Sequence, residues 1–456
     1  MNLSLKKIAE FVGGECIGCG EEIIKSVTTD TREEQKNALF VALCGEKFDG
    51  HNFAQNAIEN GAVAVLSEKR ELSEKLPIIY VKSTYEALLN LAAGYRDMLS
   101  PVVIGVTGSV GKTTTKDMIA AVLSQGLKTL KTQGNLNNHI GLPKTVFKLS
   151  EDDRAAVLEM GMNHAGEISV LTQVARPDIA VITNIGVSHI EYLKTRENIL
   201  KAKLEILEGM QEDAPIIVDS DNDLLGALGS KYQNHRVIRC SLTNEDADIY
   251  AKNITEGSEG SRYEIWKGKE LLTNVYLPCV GRHNVSNSLL AAAVGIEAGL
   301  SPEQIAAGLS AFVPSGMRQK ITKINDMTFI EDCYNASPTS MSASLSVLES
   351  ISEKRAVAVL GDMLELGDIA EKAHTEVGQE AAEKCQLLVC CGNNARLMKE
   401  AAENKGTKAV YFETKEETAA YLLKELKKGD CVLFKASLGM DFAKLLSLIY
   451  AELSQN

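Results

Sequence analysis

The chain has 456 residues, 45% of them apolar and 24% charged, a composition typical of a globular protein with about three domains. Its net charge of −13 gives no support to a nucleic-acid-binding role, because phosphate backbones are held by basic faces. Glu10 stands where a signal peptide would continue its apolar core, and no stretch reaches about 18 uninterrupted apolar residues. We therefore expect a cytoplasmic protein without membrane insertion.

The ten cysteines are scattered, and most lie in apolar runs, so we expect no disulfide framework. Cys16 and Cys19 have the C-x-x-C spacing, but a structural zinc site usually needs a second pair, and none lies nearby. We interpret this segment as a loop, with a metal or redox role as the less favoured alternative.

The first segment, up to about Val81, alternates short apolar runs with helix-like stretches such as residues 52–60, which predicts a small α/β domain. The apolar runs are residues 39–43, 62–66 and 78–81. Polar clusters at residues 29–32 and 45–51 lie beside strand ends, where α/β sheets bind ligands. By spacing alone both clusters are favoured as turns, because Gly, Asp and Asn are ordinary turn residues.

The strongest motif is the phosphate-loop segment, residues 105–113, which lies between the apolar run 102–104 and a predicted helix from Thr114. It resembles the G-x-x-x-x-G-K-[ST] pattern, with the first glycine one position earlier, at Gly105. Its glycines expose backbone N–H groups, the helix N-terminus adds positive potential, Lys112 adds a full charge, and the Thr113 hydroxyl can hold Mg²⁺. We therefore predict that a nucleotide's phosphates bind here; a glycine-rich turn without a ligand is the disfavoured alternative.

The following segment repeats strands and helices, which predicts a parallel, doubly wound sheet. A helix at residues 85–99 ends before Pro101; strands are predicted at residues 155–160, 179–184 and 216–218, a helix at residues 197–210, β-rich alternation at residues 248–278, and helices from after Gly281 to near Phe312. Residues 313–316 mark a linker. Four further strand–helix pairs are predicted, with apolar runs at residues 327–330, 356–360, 387–390 and 431–434.

The predicted fold class is therefore α/β, with three domains. Residues 1–84 form a small N-terminal α/β domain, residues 85–313 a central domain with a P-loop-type doubly wound sheet, and residues 314–456 a C-terminal Rossmann-like α/β domain.

Four polar residues could act beside the nucleotide, and each has an ordinary alternative on spacing alone. Glu159 ends an apolar run, where it could reach a Mg²⁺ held by Thr113, but a solvated strand-end acid is equally compatible. His189 follows a strand end, where a structural histidine is the more frequent case. Lys201 and Lys203 lie on a charged helix, where lysines usually face solvent.

A GTPase is disfavoured among nucleotide-binding proteins. That class holds guanine with an N-K-x-D motif after a strand. The one Asn-Lys pair, Asn404-Lys405, continues as Gly406-Thr407 in a polar loop.

Several motifs together resemble the Mur ligase family. They are residues 107–114, the strand end Glu159-Met160-Gly161, residues 183–185 followed by His189, and Ala202-Lys203 with Glu205. Residues 281–287 look like the family's loop for the nucleotide base and ribose, although without the resemblance His283 and Asn284 would be interpreted as helix caps. The resemblance extends over nearly the whole chain.

Three further stretches resemble the family members that use D-alanyl-D-alanine, namely residues 134–143, 332–340 and 361–367. The Asp-Asn-Pro-Arg motif of the sister ligases that add diaminopimelate does not occur in the chain, and residues 39–53 resemble both kinds of ligase. Residues 435–440 read Lys-Ala-Ser-Leu-Gly-Met where similar ligases more often read Lys-Gly-Ser-Arg, so no role of that arginine is carried over.

The resemblance implies an ATP-dependent ligase that joins D-alanyl-D-alanine to UDP-N-acetylmuramoyl-tripeptide through an acyl phosphate, for peptidoglycan synthesis. The implied cofactors are ATP, Mg²⁺ and CO₂, the last as a carbamate on Lys203, whose oxygen atoms are ligands that Mg²⁺ prefers. The N-terminal domain would bind the UDP-substrate, the central domain ATP, and the C-terminal domain the incoming dipeptide while closing over ATP. We expect a monomer that binds no nucleic acid.

The resemblance also implies the site residues. The catalytic residues would be Lys112, Glu159, His189 and Lys203. Among the metal ligands, Thr113 and Glu159 would hold one Mg²⁺ and His189 would help to hold a second, with carbamylated Lys203 supplying oxygen ligands. The implied ATP-binding residues are Thr107, Gly108, Ser109, Val110, Gly111, Lys112, Thr113, Thr114, Asn284, Asn287, Arg318 and Asp332. The implied substrate-binding residues are Asp30, Thr31, Arg32, Gly45, Asp49, Asn135, Asn137, Asn138, His139, Tyr334, Asn335 and Ser337.

A second class of function stays open from the sequence, a P-loop ATPase whose hydrolysis drives a conformational change or partner binding. The sequence also leaves open whether the third residue of the tripeptide is lysine or diaminopimelate.

Overall fold

The computed structural model describes residues 1–45 and 48–454, and the chain folds into two compact units. One unit comprises Met1–Thr107, Leu127–Ala180 and Leu204–Pro215, and the other Gly108–Gly126, Val181–Lys203 and Ile216–Asn456. Both units mix helices and strands, which confirms the predicted α/β class. Glu46 and Lys47, within the polar cluster at residues 45–51, lie outside the described residues.

The N-terminal part alternates short strands and helices. The strands are β1 Leu3–Ser4, β2 Glu15–Ile17, β3 Ile23–Ile24, β4 Ser26–Thr28, β5 Ala38–Val41, β6 Cys44–Gly45, β7 Phe48–Asp49, β8 Ala64–Ser67 and β9 Ile78–Tyr80. The helices are α1 Leu5–Val12, α2 Ala54–Glu59 and α3 Thr84–Asp97, with 3₁₀ turns at Gly50–Phe53 and Arg70–Glu74. The prediction of a loop at residues 16–19 is wrong for Cys16 and Ile17, because both belong to β2, which pairs antiparallel with β9.

The central part contains the longer elements. Its strands are β10 Val102–Thr107, β11 Thr129–Lys131, β12 Ala155–Glu159, β13 Ile179–Ile182, β14 Ile216–Asp219, β15 Lys231–Tyr232, β16 His235–Ser241, β17 Ile249–Gly257, β18 Gly260–Lys267 and β19 Glu270–Leu277. Its helices are α4 Lys112–Leu123, α5 Gly141–Val146, α6 Glu167–Ala175, α7 Ile190–Leu193, α8 Arg196–Leu204, α9 Asp223–Gly226, α10 Arg282–Glu297 and α11 Pro302–Ser310. The helix predicted at residues 197–210 is shorter than expected, because the chain tightens into a 3₁₀ helix at Glu205–Gly209.

The C-terminal part is a second α/β repeat. Its strands are β20 Lys320–Ile324, β21 Met327–Glu331, β22 Arg355–Gly361, β23 Leu387–Cys391, β24 Lys408–Phe412 and β25 Asp430–Lys435. Its helices are α12 Pro338–Ile351, α13 Ala370–Lys384, α14 Ala395–Asn404, α15 Lys415–Glu425 and α16 Phe442–Leu453, with 3₁₀ turns at Gly367–Ile369 and Leu438–Met440. The sequence did not predict β20 and β24. These are the two edge strands of the sheet. In β20 the two isoleucines are separated by polar residues, so no apolar run marks the strand. β24 does contain a short apolar run, residues 409–412, which was not recognised as a strand.

The first unit contains a sheet in the order β2-β9-β8-β5-β4 and a set of parallel strands in the order β11-β12-β10. In this set Val106 lies opposite Glu159, so the chain leaves β10 for the phosphate-loop segment at the same edge where β12 ends. Carboxyl ends of parallel strands are where α/β sheets place polar ligand-binding groups.

The second unit contains strands in the order β14-β16-β17-β18-β19, parallel up to β17 and antiparallel beyond it. Helix α4 of this unit packs against α10 and α11. Its C-terminal sheet has the order β20-β21-β25-β22-β23-β24.

The core of the C-terminal sheet follows the two-residue period of its strands. Along β22, Ala356, Ala358 and Leu360 pack with α12, α13 and α14, while Val357 and Val359 pack with α15 and α16. Because successive side chains point to opposite faces, an unbroken apolar strand fills two core layers. Among the described residues, none of the helices combines the length and apolar character needed to span a bilayer.

Candidate nucleotide and metal site

The phosphate-loop segment needs glycine at two positions because the loop packs closely on two side chains. Gly108 and Gly111 have φ angles of 147° and 84°. A Cβ atom at Gly108 would overlap the Thr183 hydroxyl, and one at Gly111 would lie 2.8 Å from Oδ1 of Asn287. Larger residues would therefore be strained at both places and would push the loop away from its supports.

Asn184 holds the backbone of the loop. Its carbonyl oxygen accepts from the Ser109 N–H (3.0 Å), and its Oδ1 accepts from the Val110 N–H (2.9 Å). The Ser109 hydroxyl in turn accepts from the Gly186 N–H (2.9 Å). Sequence reasoning did not assign this anchoring role to Asn184, although a polar residue shortly after the apolar strand β13 was a visible signal.

Lys112 and Thr113 begin helix α4, as the motif predicts. The Lys112 ammonium group donates to the carbonyl oxygens of Gly108 (2.9 Å) and Ser109 (3.3 Å), which keeps its charge over the loop. The Thr113 side chain is buried. The loop therefore combines a fixed positive charge with a hydroxyl group at a helix N-terminus, the combination that suits a nucleotide's phosphates.

Lys203 is buried, with 2% of its surface exposed, whereas Lys201 is exposed. The interpretation of Lys203 as a surface lysine is therefore wrong, and that of Lys201 is correct. Burial, together with the nearby positive charge of Lys112, lowers the pKa of Lys203 well below its ordinary value. A buried lysine in this setting favours the neutral amine.

His189 lies close to the same charges. Burial is the main cause that lowers the pKa of His189, and the positive charges of Lys112 and Lys203 lower it further against the opposing effect of Glu365. Its Nδ1 atom lies 2.6 Å from Oε2 of Glu365. The His189 backbone has a φ angle of 62°, an uncommon conformation for a residue other than glycine.

Glu159 belongs to the first unit and is buried, so its interpretation as a solvated strand-end acid is wrong. Its Oε1 accepts from Nδ2 of Asn137 (2.9 Å), and its backbone N–H donates to the Thr132 hydroxyl (3.0 Å). Asn137 also accepts from the Gly161 N–H through its carbonyl oxygen (2.9 Å). A hydrogen bond thus connects the predicted metal ligand Glu159 with the predicted substrate-binding residue Asn137.

These donors fit Mg²⁺ in their chemistry. The Thr113 hydroxyl and the Glu159 carboxylate offer oxygen ligands, and burial lowers the pKa values of His189 and Lys203, which disfavours the charged forms that would repel a cation. A free lysine amine is a poor magnesium ligand, so Lys203 fits the group only as a carbamate.

The predicted nucleotide-binding asparagines support the loop and the start of α10. The Asn287 side chain packs directly against the backbone of Gly111. Asn284 donates from Nδ2 to the Val280 carbonyl (2.8 Å) and to Oε1 of Gln319 (2.5 Å). The interpretation of His283 and Asn284 as helix caps is wrong, because α10 begins at Arg282 and its N-cap residue is Gly281, which has no side chain to cap it.

Arg318 and Asp332 lie in the C-terminal part. The Arg318 guanidinium carbon lies 3.5 Å from the centre of the Tyr334 ring, a cation–π contact that joins a predicted ATP residue to a predicted substrate residue. Burial would raise the pKa of Asp332, but the Lys435 charge and hydrogen bonds from Lys435 and Ser344 hold it below its ordinary value.

Asn335 and Ser337 have structural roles of their own. The Asn335 carbonyl accepts from Lys435 (3.2 Å), and Ser337 caps α12.

The predicted residues of the N-terminal part form local ion pairs. Arg32 binds both carboxylate oxygens of Asp30, and its hydrogen bonds are the main cause that lowers the pKa of Asp30 to about 2. Asp49 accepts from Lys69 (2.6 Å) and from Nδ1 of His51 (2.7 Å). Thr31 is half-buried and Gly45 is exposed, and the structure adds no further role for either residue.

Cys44, Asp49 and His51 lie close enough together to suggest a metal site. However, Nε2 of His51 accepts from the Glu68 N–H (3.0 Å), so Nδ1 carries the hydrogen that is donated to Asp49. Both ring nitrogens of His51 are therefore engaged in hydrogen bonds within the protein, which leaves no lone pair for a metal, and we assign no metal to this cluster.

Asn135, Asn138 and His139 are exposed. Oδ1 of Asn138 accepts from the Gly141 N–H (2.8 Å) at the start of α5, and Nε2 of His139 lies 3.2 Å from the Tyr85 hydroxyl. These contacts define the local structure around three residues predicted to bind substrate.

Comparison with known proteins matches the chain along its length. A UDP-N-acetylmuramoyl-tripeptide--D-alanyl-D-alanine ligase of Bacillus subtilis is 40% identical over 462 residues, which cover 99% of each chain. The chain belongs to the Mur ligase family. Within it, the Mur ligase family catalytic domain matches residues 23–96, the Mur ligase middle domain residues 106–295, and the Mur ligase glutamate ligase domain residues 317–438.

Solved Mur ligase structures share the fold. MurF from Acinetobacter baumannii is 30% identical, with a TM-score of 0.91 and 99% coverage of both chains. The MurF ligase from Thermotoga maritima in complex with ADP is 28% identical, with a TM-score of 0.85 and coverage of 94% of this chain and 98% of that chain. The resemblance inferred from the motifs and the fold class with N-terminal, central and C-terminal α/β domains are therefore confirmed.

Proposed function

We propose that the chain is an ATP-dependent ligase that joins D-alanyl-D-alanine to UDP-N-acetylmuramoyl-tripeptide and so forms the pentapeptide for peptidoglycan synthesis. The observation that carries this proposal is the likeness to the Bacillus subtilis ligase of that name, at 40% identity along 99% of both chains. The cluster of buried Lys203 with half-buried Lys112 and His189, whose charges influence one another, supports it.

The reaction proceeds in two steps. The terminal carboxylate of the tripeptide attacks the γ-phosphate of ATP and forms an acyl phosphate with release of ADP. The amine of D-alanyl-D-alanine then attacks the acyl carbon, a peptide bond forms, and inorganic phosphate and a proton leave. Phosphoryl transfer needs mainly positioning and charge neutralisation, so few protein groups have to react covalently.

The site residues serve these two needs. Lys112 neutralises charge on the phosphates, and Asn184 keeps the loop in shape for them through its two hydrogen bonds. Thr113 and Glu159 would hold one Mg²⁺, His189 would help to hold a second, and carbamylated Lys203 would add oxygen ligands. The ions would neutralise charge on the phosphates. The buried amine of Lys203 is suited to carbamylation, because only an unprotonated amine adds to CO₂.

The finer assignments belong to the same proposal. Residues 1–84 bind the UDP-substrate, residues 85–313 bind ATP, and residues 314–456 bind the dipeptide and close over ATP. The residues predicted to bind ATP and the residues predicted to bind the peptide substrates are proposed to contact those ligands. The enzyme works as a monomer in the cytoplasm, where its ATP is supplied.

A coupled assay for ADP tests the proposal. ADP should form only when ATP, Mg²⁺, UDP-N-acetylmuramoyl-tripeptide and D-alanyl-D-alanine are all present, and mass spectrometry should detect the pentapeptide product. Substrates with lysine or diaminopimelate at the third peptide position, assayed in parallel, decide that specificity. ADP formation that needs neither peptide substrate would contradict the ligase and favour a P-loop ATPase that acts as a switch.

A further inference from the structure

The loop at residues 361–367, which follows β22, has no role in the reaction as described so far. The loop contains Glu365, and Oε2 of Glu365 lies 2.6 Å from Nδ1 of His189. The two residues are 176 positions apart in the sequence, so the fold alone brings them together. The two atoms are within ion-pair distance, but their alignment is not that of a hydrogen bond. A carboxylate oxygen this close still disfavours a lone pair on Nδ1 and favours a hydrogen there.

The loop is held rigidly on the C-terminal sheet. The buried Asp362 accepts from the Asn393 N–H (2.8 Å) and the Ala395 N–H (2.7 Å), at the start of α14. The Met363 N–H donates to Nε2 of His374 (3.0 Å), and the Leu364 N–H donates to the Ser437 hydroxyl (3.0 Å). Three consecutive residues before Glu365 are thus fixed by hydrogen bonds to other segments.

The contact with the His189 segment is also made by backbone atoms. The Glu191 N–H donates to the Glu365 carbonyl oxygen (3.4 Å), and a Cβ atom at Gly367 would lie 3.2 Å from the Glu191 Cα atom. The φ angles of His189 and Glu365 are 62° and 61°. Neither residue type favours this left-handed conformation, which persists where surrounding contacts impose it and is frequent at functional sites.

We propose that Glu365 is a positioning residue that fixes the His189 ring, with the hydrogen on Nδ1 and the lone pair on Nε2 available for the metal. This inference rests on the proposed function, in which His189 is a magnesium ligand. A histidine that ligates a metal commonly donates its other ring N–H to a carboxylate, which selects the tautomer and the ring orientation.

The first test is spectroscopic and uses the free enzyme. Nitrogen-15 NMR of the histidine rings, with the His189 signal assigned by its loss in His189→Gln, reports the tautomer at a pH where the ring is neutral. In the wild type and in Glu365→Gln the hydrogen should lie on Nδ1, because both side chains offer an oxygen acceptor. In Glu365→Ala the equilibrium should move toward the tautomer with hydrogen on Nε2. Asp368→Asn, an exposed carboxylate change three residues away, should leave the signal unchanged.

The second test measures the Mg²⁺ concentration that gives half-maximal ligase activity. Glu365→Ala should raise it about 10-fold or more, whereas Glu365→Gln should raise it less, the size of effect usual for the support of a metal ligand. Melting temperatures of all variants check that they are folded. If the Ala variant does not fold, Glu365→Ser replaces it.

The positioning role is overturned if the tautomer is the same in Glu365→Ala and the wild type, or if the Mg²⁺ requirement does not change with the tautomer. A wild-type enzyme without ligase activity would instead contradict the proposed function. The NMR result in the free enzyme still decides whether Glu365 fixes the ring.

Discussion

The ammonium group of Lys435 lies 2.6 Å from Oδ2 of Asp332 and is 3.2 Å from the carbonyl oxygen of Asn335. Lys435 is the last residue of β25, and Asp332 directly follows the neighbouring parallel strand β21. The Lys435 side chain is 2% exposed and that of Asp332 is 18% exposed. The pair therefore neutralises a carboxylate at an edge of the C-terminal sheet where water is largely excluded.

Replacing Lys435 with Met should lower the free energy of unfolding by about 3 kcal/mol or more, because a buried carboxylate would lose its counter-charge. Urea titration followed by circular dichroism measures this. The double variant with Asp332→Asn should regain part of the loss. Lys428→Met is the control, since Lys428 pairs with Asp326 at the exposed surface and its change should stay within about 0.5 kcal/mol. Equal losses for Lys435→Met and the control would contradict the role of the pair.

Lys112→Ala should reduce turnover by about 10³-fold while the protein stays folded, because the Lys112 charge lies over the phosphate-loop segment and stabilises charge in the transition state. Steady-state assays of ADP release and a thermal melt measure the two effects. A variant that keeps near-normal turnover would remove this loop from the mechanism.

Lys203→Ala should abolish activity, because the carbamate oxygens would be lost from the metal site. Adding a short carboxylic acid such as acetate should restore part of the rate, since its oxygen atoms can occupy the vacated space. Lys201→Ala is the matched control. Lys201 is exposed on the same helix, so its loss should be almost neutral. Equal losses in both variants would indicate a general requirement for basic charge.

Asp219 should make stability depend on pH. Burial raises the pKa of Asp219 to about 6 from 3.8, although the Ser286 hydroxyl donates to its carboxylate (2.8 Å) and opposes the shift. A folded-state pKa above the unfolded one means that the contribution of Asp219 is complete below 3.8 and is lost as the pH rises through about 6. Two pKa units correspond to about 3 kcal/mol, the upper limit of this loss.

Asp219→Asn should therefore leave stability unchanged near pH 4 and increase it above pH 6. Urea titrations of both proteins from pH 4 to pH 8 measure the difference. A difference that does not vary with pH would mean that Asp219 titrates normally in the folded protein.

The sequence by itself determined the features that depend on neighbouring residues. The phosphate-loop segment was recognisable because its glycines, Lys112 and Thr113 are consecutive and the local backbone decides what they can bind. The buried strands β21, β22, β23 and β25 were predicted from their apolar runs, whereas the edge strand β20 was not, because polar residues interrupt it. β24 was missed although residues 409–412 are apolar, because so short an apolar run does not by itself specify a strand.

Only the tertiary structure decided which polar residues are buried and paired. Lys201 and Lys203 lie two residues apart on one helix and look alike in the sequence, yet one is exposed and the other buried, because only one side of α8 faces the core. The pairs of Lys435 with Asp332 and of Glu365 with His189 join residues more than 100 positions apart. Such contacts, and the pKa values that follow from them, depend on how distant strands and loops pack, which no local pattern of residues specifies.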